Sequence, residues 1–204
     1  ASYQRRRHIW TLIDGGPGSG IHKTTDGGET WTELTSGLPD VDMGRIGLAI
    51  AQKQPDTIYA IIEAAQDKSG FFRSRNGGAT WEKMSDYVAS SPQYYNEIVP
   101  DPHDPDRLYS MDTLLRTTED GGRTWHRLSV ASKHVDDHAM WIDPLHTEHL
   151  ITGCDGGLYE TYDRGQTWRF VTNLPVTQFY RVAVDDAEPF YNVYGGTQDN
   201  NTIG

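Results

Sequence analysis

An all-β fold, a β-propeller of four-stranded antiparallel blades, is what three features of this 204-residue sequence predict. An eight-residue motif occurs four times: Thr24-Thr25-Asp26-Gly27-Gly28-Glu29-Thr30-Trp31, Ser74 to Trp81, Thr118 to Trp125 and Thr161 to Trp168. The four tryptophans, Trp31, Trp81, Trp125 and Trp168, are spaced 50, 44 and 43 residues apart, close to the length of one propeller blade. Between the motifs run short alternating apolar segments separated by turn residues, four to each repeat, which is the strand content of a blade.

The shared pattern is hydroxyl, any, Asp or Asn, any, Gly, any, Thr, Trp, and each position has a physical reason. The acid or amide accepts hydrogen bonds from backbone N–H groups just ahead and closes a turn. Glycine takes a backbone conformation that other residues adopt only with strain. Thr then starts a strand, and Trp brings a large apolar area to its buried face.

Each blade follows in order. The first whole blade, 46–84, takes Ile46 to Ala51 as its first strand. Ile58 to Ile62, Gly70 to Arg73 and Thr80 to Met84 complete it, with the turn Gln54-Pro55-Asp56 after the first strand. Blade 95–128 repeats this with Tyr95 to Val99, Leu108 to Met111, Leu114 to Thr117 and Thr124 to Leu128. Blade 138–171 does so with His138 to Ile142, His149 to Thr152, Gly157 to Thr161 and Thr167 to Val171. Partial blades flank these. In 8–34, His8 to Ile13 reads as a second strand and Gly20 to Thr24 as a third. In 179–197, Phe179 to Val184 and Tyr191 to Gly195 read as first and second strands. The whole chain, 1–204, is one partial propeller of three whole and two partial blades. A closed ring of six or more needs roughly 250–350 residues. The expected partners are therefore the rest of a parent polypeptide or other chains that complete the ring. A four-bladed ring in which the partial blades merge is the lesser alternative.

Composition narrows the function. A net charge of −11 argues against nucleic acid, which needs a basic surface. No apolar run is long enough to cross a bilayer. The single cysteine, Cys154, excludes an internal disulfide framework. Ala1 leads through Arg5-Arg6-Arg7 into a strand-like run without a signal peptide, and the absence of a starting Met predicts a processed or truncated chain. Asn200-Asn201-Thr202 matches a glycosylation sequon.

The repeated motif resembles the Asp-box, or BNR, repeat of sialidases, the endo-xyloglucanase family and sortilin-type receptor propellers. The resemblance implies that each box joins the third and fourth strands of a blade, on the outer rim away from any ligand, so its acids are scaffold. It further implies that catalytic aspartates end the second strand, just before a glycine pair. Asp155-Gly156-Gly157 and Asp14-Gly15-Gly16 match that pattern, which makes Asp155 and Asp14 the catalytic candidates. Sialidase is the rival, but its Phe-Arg-Ile-Pro motif is absent.

Equivalent strand ends carry Asp14, Glu63, Asp112, Asp155 and the pair Gln198-Asp199, so successive blades are expected to aim an acid or amide at one rim. Paired carboxylates at an aqueous pocket are what glycosidic cleavage requires. Tyr94 and Tyr95 add aromatic surface for sugar or peptide. His134 and His138, with Asp136 and Asp137, form the densest polar cluster. Its spacing would suit zinc or manganese only weakly, so no metal or cofactor is expected.

Three functional readings follow. The leading expectation is a non-catalytic, extracellular or periplasmic (cell-envelope) module that binds a glycan, peptide or protein. Glu63, Asp112, Gln198, Asp199, Tyr94, Tyr95, His134 and His138 are its ligand contacts. The second is a glycoside hydrolase of the xyloglucanase-like Asp-box class, using Asp155 and Asp14. The third is a structural subunit of a larger assembly.

Overall fold

The computed structural model describes residues 1–174, 176–199 and 202–203. The sequon at Asn200 and Asn201 lies outside the described residues. Three four-stranded antiparallel sheets dominate. The first contains β5 (Met43–Ile50), β6 (Ile58–Ala64), β7 (Gly70–Ser74) and β8 (Glu82–Ser85). The second contains β9 (Ile98–Pro100), β10 (Leu108–Ser110), β11 (Arg116–Thr118) and β12 (His126–Arg127). The third contains β13 (Asp137–Ile142), β14 (Leu150–Cys154), β15 (Gly157–Thr161) and β16 (Arg169–Phe170). In all three the strands lie side by side in chain order. Before them come β1 (Arg5–His8) paired with β2 (Thr11–Asp14), and β3 (Ile21–Lys23) paired with β4 (Thr32–Leu34). After them β17 (Phe179–Val184), β18 (Val193–Thr197) and β19 (Thr202–Ile203) form a three-stranded sheet. No helix occurs among the described residues.

The core lies between sheets rather than inside any one of them. Along β6 the side chains alternate: Tyr59 and Ile61 face the second sheet, meeting Phe71, Ile98 and Leu108, while Ala60 and Ile62 face Ile21, Phe72 and Trp81. A third layer joins Tyr109, Met111, Leu115, Ile142, Leu150, Tyr159 and Trp168. This period of two is the pleat of a strand buried on both faces. Burying a Leu, Ile or Phe side chain contributes about 1.5–3 kcal/mol, so these layers hold neighbouring blades together. β5 lies against β9, so the first strands of the first two sheets are neighbours.

The motif corners form as the sequence chemistry dictates. The Thr167 N–H donates to Asp163 at 2.9 Å, the Gly165 N–H donates to the Thr161 hydroxyl at 3.0 Å, and the Thr167 hydroxyl donates to the other Asp163 oxygen at 2.6 Å. Asp26 and Asp120 repeat these contacts. Asn76 keeps the backbone contact from Thr80 at 2.9 Å, but here the amide donates to the Thr80 hydroxyl at 2.8 Å. Gly122 shows why glycine is needed: its φ is +94°, and a Cβ there would sit 2.1 Å from the Phe71 ring of the preceding sheet.

The structure departs from the sequence reading in several places: β9 starts at Ile98 rather than Tyr95, and β19 adds a third strand to the last sheet. Thr80 and Trp81 lie in the corner and the last strand starts at Glu82, because the Thr80 N–H is committed to Asn76. His8 to Ile13 is not one strand: the chain turns at Ile9-Trp10, and Arg5–His8 pairs with Thr11–Asp14. The Trp side chains are not uniformly buried. Trp81 and Trp168 are 7% and 8% exposed, whereas Trp31 is 60% exposed. Trp81 and Trp168 each pack in a layer with residues of the sheet before them, whereas Trp31 joins none of the core layers.

Candidate active site

The β14–β15 hairpin positions Asp155. Cys154 pairs with Gly157, so Asp155-Gly156 is a two-residue turn, and Thr161, where the motif begins, pairs with Leu150 at the far end of the same two strands. Five residues of strand at about 3.3 Å each separate Asp155 from the motif corner. The corners thus stand at the opposite end of the blade from the carboxylates.

Asp155 sits among groups from three other segments. Its Oδ1 is 3.1 Å from His138 Nε2 on β13, its backbone N–H donates to the Asp136 carbonyl at 3.3 Å, and its carboxyl shares a hydrogen bond with Asp199, just past β18. Tyr95 donates its hydroxyl to Asp136 at 2.6 Å and stacks its ring on His138, centroids 5.2 Å apart. Burial, then the hydrogen bond to Asp199, raise the Asp155 carboxyl above the ordinary carboxylate range, against the opposing pull of His138. A cleft of about 670 Å³ opens beside it, lined also by Cys154, Phe170, Gln178 and Gln198. A carboxyl of raised pKa at the edge of a cleft of this size is suited to general acid chemistry.

Asp14 belongs to a different group. It accepts the Tyr3 hydroxyl at 2.6 Å, and burial pushes that phenol up to about 12. Glu63 is its neighbour: burial raises the Glu63 carboxyl, the Arg45 N–H at 3.1 Å opposes this, and the charge of Asp14 adds to it. The expected rim of acids therefore resolves into two clusters.

Asp112 corrects the expectation of five matching rim groups. It is buried, and its carboxylate accepts from Ser90, Thr113 and Tyr87, with Arg116 Nε at 3.6 Å. The loop after β8 folds over it and turns a rim position into a structural anchor. Tyr95 is likewise buried rather than presented to a ligand, while Tyr94 is exposed. His134 is held by its own loop, Nδ1 lying 2.8 Å from the Val135 carbonyl. It also packs on Gly156, where a Cβ would fall 2.3 Å from the His134 Cβ. Among the described residues no group of three or more His, Cys, Asp or Glu is placed to hold a metal. Nor is any helix there long and apolar enough to cross a membrane. Sequence reasoning missed Tyr3, Phe170 and Gln178, whose places depend on loops that carry no motif.

The Sortilin-Vps10 family model, described as sortilin, neurotensin receptor 3, matches residues 69–202, more than half of the chain. The chain belongs to the Sortilin-Vps10 family. This Sortilin-Vps10 chain is also 26% identical over 174 residues to the oligoxyloglucan-reducing end-specific xyloglucanase of Emericella nidulans, covering 76% of the chain and 21% of that relative. It is 27% identical to vacuolar protein sorting/targeting protein 10 of Clavispora lusitaniae, covering 78% of the chain and 10% of the relative. The chain thus spans about a fifth or less of the curated relatives it matches. Among solved structures, the GH74 xyloglucanase from Xanthomonas campestris superposes with a TM-score of 0.52 at 21% identity, over 85% of this chain and 30% of that one. That likeness establishes the propeller fold. The leading expectation of a non-catalytic binding module is overturned: the xyloglucanase relatives favour the hydrolase reading in its place.

Proposed function

We propose that this chain is the part of a glycoside hydrolase that carries its general acid, acting on a β-glucan of the xyloglucan kind, with Asp155 as that acid. The observation that supports this reading most is the raised Asp155 carboxyl beside the 670 Å³ cleft. In such a reaction Asp155 gives its proton to the glycosidic oxygen as the bond to the sugar breaks. A second carboxylate activates water or attacks the anomeric carbon. Asp14, at the equivalent strand end of another blade, is the candidate for that role. Glu63, Tyr94, Gln198 and Asp199 are candidate sugar contacts. The rest of the protein, which its relatives carry outside the matched span, would complete the ring and the far wall of the cleft. An extracellular or cell-envelope location suits a polysaccharide substrate.

The test is hydrolysis of xyloglucan by the full protein that contains this chain. Asp155→Asn is expected to lower kcat by about 10²–10⁴-fold while the melting temperature holds. Wild-type turnover in that variant ends the reading. Asp14→Asn with unchanged kcat would remove Asp14 from its role and leave Asp155 in place. The pH profile adds a sign. A general acid works while protonated, so activity falls as pH rises through the Asp155 pKa. Asp199→Asn removes a group that raises this pKa, and the alkaline limb should move to lower pH. His138→Gln removes one that lowers it, and the limb should move to higher pH.

A further inference from the structure

Lys133 is a buried lysine that the hydrolase reading does not use. Its side chain and that of Asp137 are each 1% exposed. The Lys133 ammonium donates to the two Asp137 oxygens at 2.7 and 2.8 Å and to the His134 carbonyl at 2.9 Å, which employs all three of its donors. It also faces the rings of Tyr159 and Trp168, 5.6 and 5.4 Å from their centroids. Asp137 accepts a further bond from the Thr152 hydroxyl at 2.6 Å, on the strand that leads to Asp155. A pair this dry is held by geometry on every side, and removing one partner strands the other charge in apolar surroundings.

The position of this pair gives it a consequence for the site. Lys133 lies in the connection between β12 and β13, which also carries His134 and Asp136. His138 follows Asp137 directly. The connection is tied down elsewhere by the indole N–H of Trp168, which donates to the Ser129 carbonyl at 3.0 Å, and by Asp136 and Asp137 N–H groups, which donate to the Thr113 and Asp112 carbonyls at 2.9 and 3.1 Å. We propose that Lys133, locked on Asp137, is a positioning residue that fixes the 129–138 segment so that His138 meets Asp155 and His134 packs under Gly156. A motif tryptophan, Trp168, thereby supports the site as well as the blade. The groups facing His138 are Asp155, Tyr95 and, through these two, Asp199 and Asp136. Cys154 pairs with Asp137 in the sheet and feels the charges of both Lys133 and Asp137.

This inference rests on the proposed role of Asp155, and its test keeps the two separable. In the full protein, Lys133→Met retains the apolar stem without the ammonium, and the double change Lys133→Met with Asp137→Leu removes both charges for the case in which the single variant does not fold. Two readouts need no substrate: the NMR shifts of the His138 ring protons, set by the stacked Tyr95 ring, and alkylation of Cys154 followed by peptide mapping. The proposal expects the His138 ring signals to move toward those of a solvent-exposed imidazole as the Tyr95 stack is lost, and Cys154 to label at least about tenfold faster, in whichever variant folds. On xyloglucan, kcat should fall about tenfold with KM little changed, the pattern of a lost orientation. Wild-type His138 ring shifts and Cys154 labelling in a folded variant overturn the proposal, whether or not the protein hydrolyses xyloglucan. A wild-type protein that hydrolyses no glucan but shows both shifts on substitution overturns the hydrolase reading alone.

Discussion

Asp163 takes a hydroxyl proton and a backbone N–H from Thr167 into one carboxylate, and these bonds, the hydroxyl first, hold its pKa down at about 2. Asp120 is lowered to about 2 as well, its Thr124 and Thr118 bonds outweighing the opposing effect of burial. A carboxyl whose folded pKa lies below its unfolded value stabilises the fold above the unfolded pKa. That stabilisation is lost as pH falls through the folded one. Urea unfolding followed from pH 5 downward should therefore show stability dropping between roughly pH 4 and pH 2. Asp163→Ala should cost about 1–2 kcal/mol at neutral pH and flatten part of that acid slope. An acid slope identical to that of the parent would show that Asp163 does not carry it.

The four equivalent tryptophans divide at the level of the element. Trp168 closes the layer between the second and third sheets, and its indole N–H is bonded to the Ser129 carbonyl; Trp31 is largely in solvent. Trp168→Ala should lower stability by about 3–5 kcal/mol and Trp31→Ala by less than about 1, measured by denaturant unfolding. The strands themselves were legible because apolar alternation and turn residues agree from one repeat to the next. Their ends were less so: Thr80 reads as strand by propensity, but its N–H is spent on the corner. The place of Asp155 at the end of a strand was legible from the alternation before it, while its candidacy came from the resemblance of Asp155-Gly156-Gly157 to the family pattern. Asp112 has the same spacing and a different fate, since only the loop carrying Tyr87 and Ser90 decides that it is buried. Lys133 was illegible for a related reason: nothing local marks a loop lysine for burial against the rings of Tyr159 and Trp168.

Across the whole molecule, stability is concentrated where blades meet. Tyr59, Ile61, Ile62, Leu108 and Leu150 are essentially without solvent contact, whereas every residue of β17 and the Ile9-Trp10 turn are exposed. Hydrogen exchange should therefore be slowest in β6, β10 and β14 and fastest in β1, β2 and β17. Equal protection across all of these strands would contradict a core built from inter-sheet layers. Two carboxylate clusters, one around Asp14 and Glu63 and one around Asp155, hang from this stack at the end away from the motif corners.

Asn76 gives the array an uneven response to acid. Three corners depend on a group that a proton can neutralise, but the amide at Asn76 has no such state, and it holds Thr80 in the same way at any acidity. In a strongly acidic medium the corner between β7 and β8 should outlast its three counterparts. Loosening would then begin on the Asp163, Asp120 and Asp26 blades, leaving the sheet that bears Tyr59 and Ile61 as the last to open.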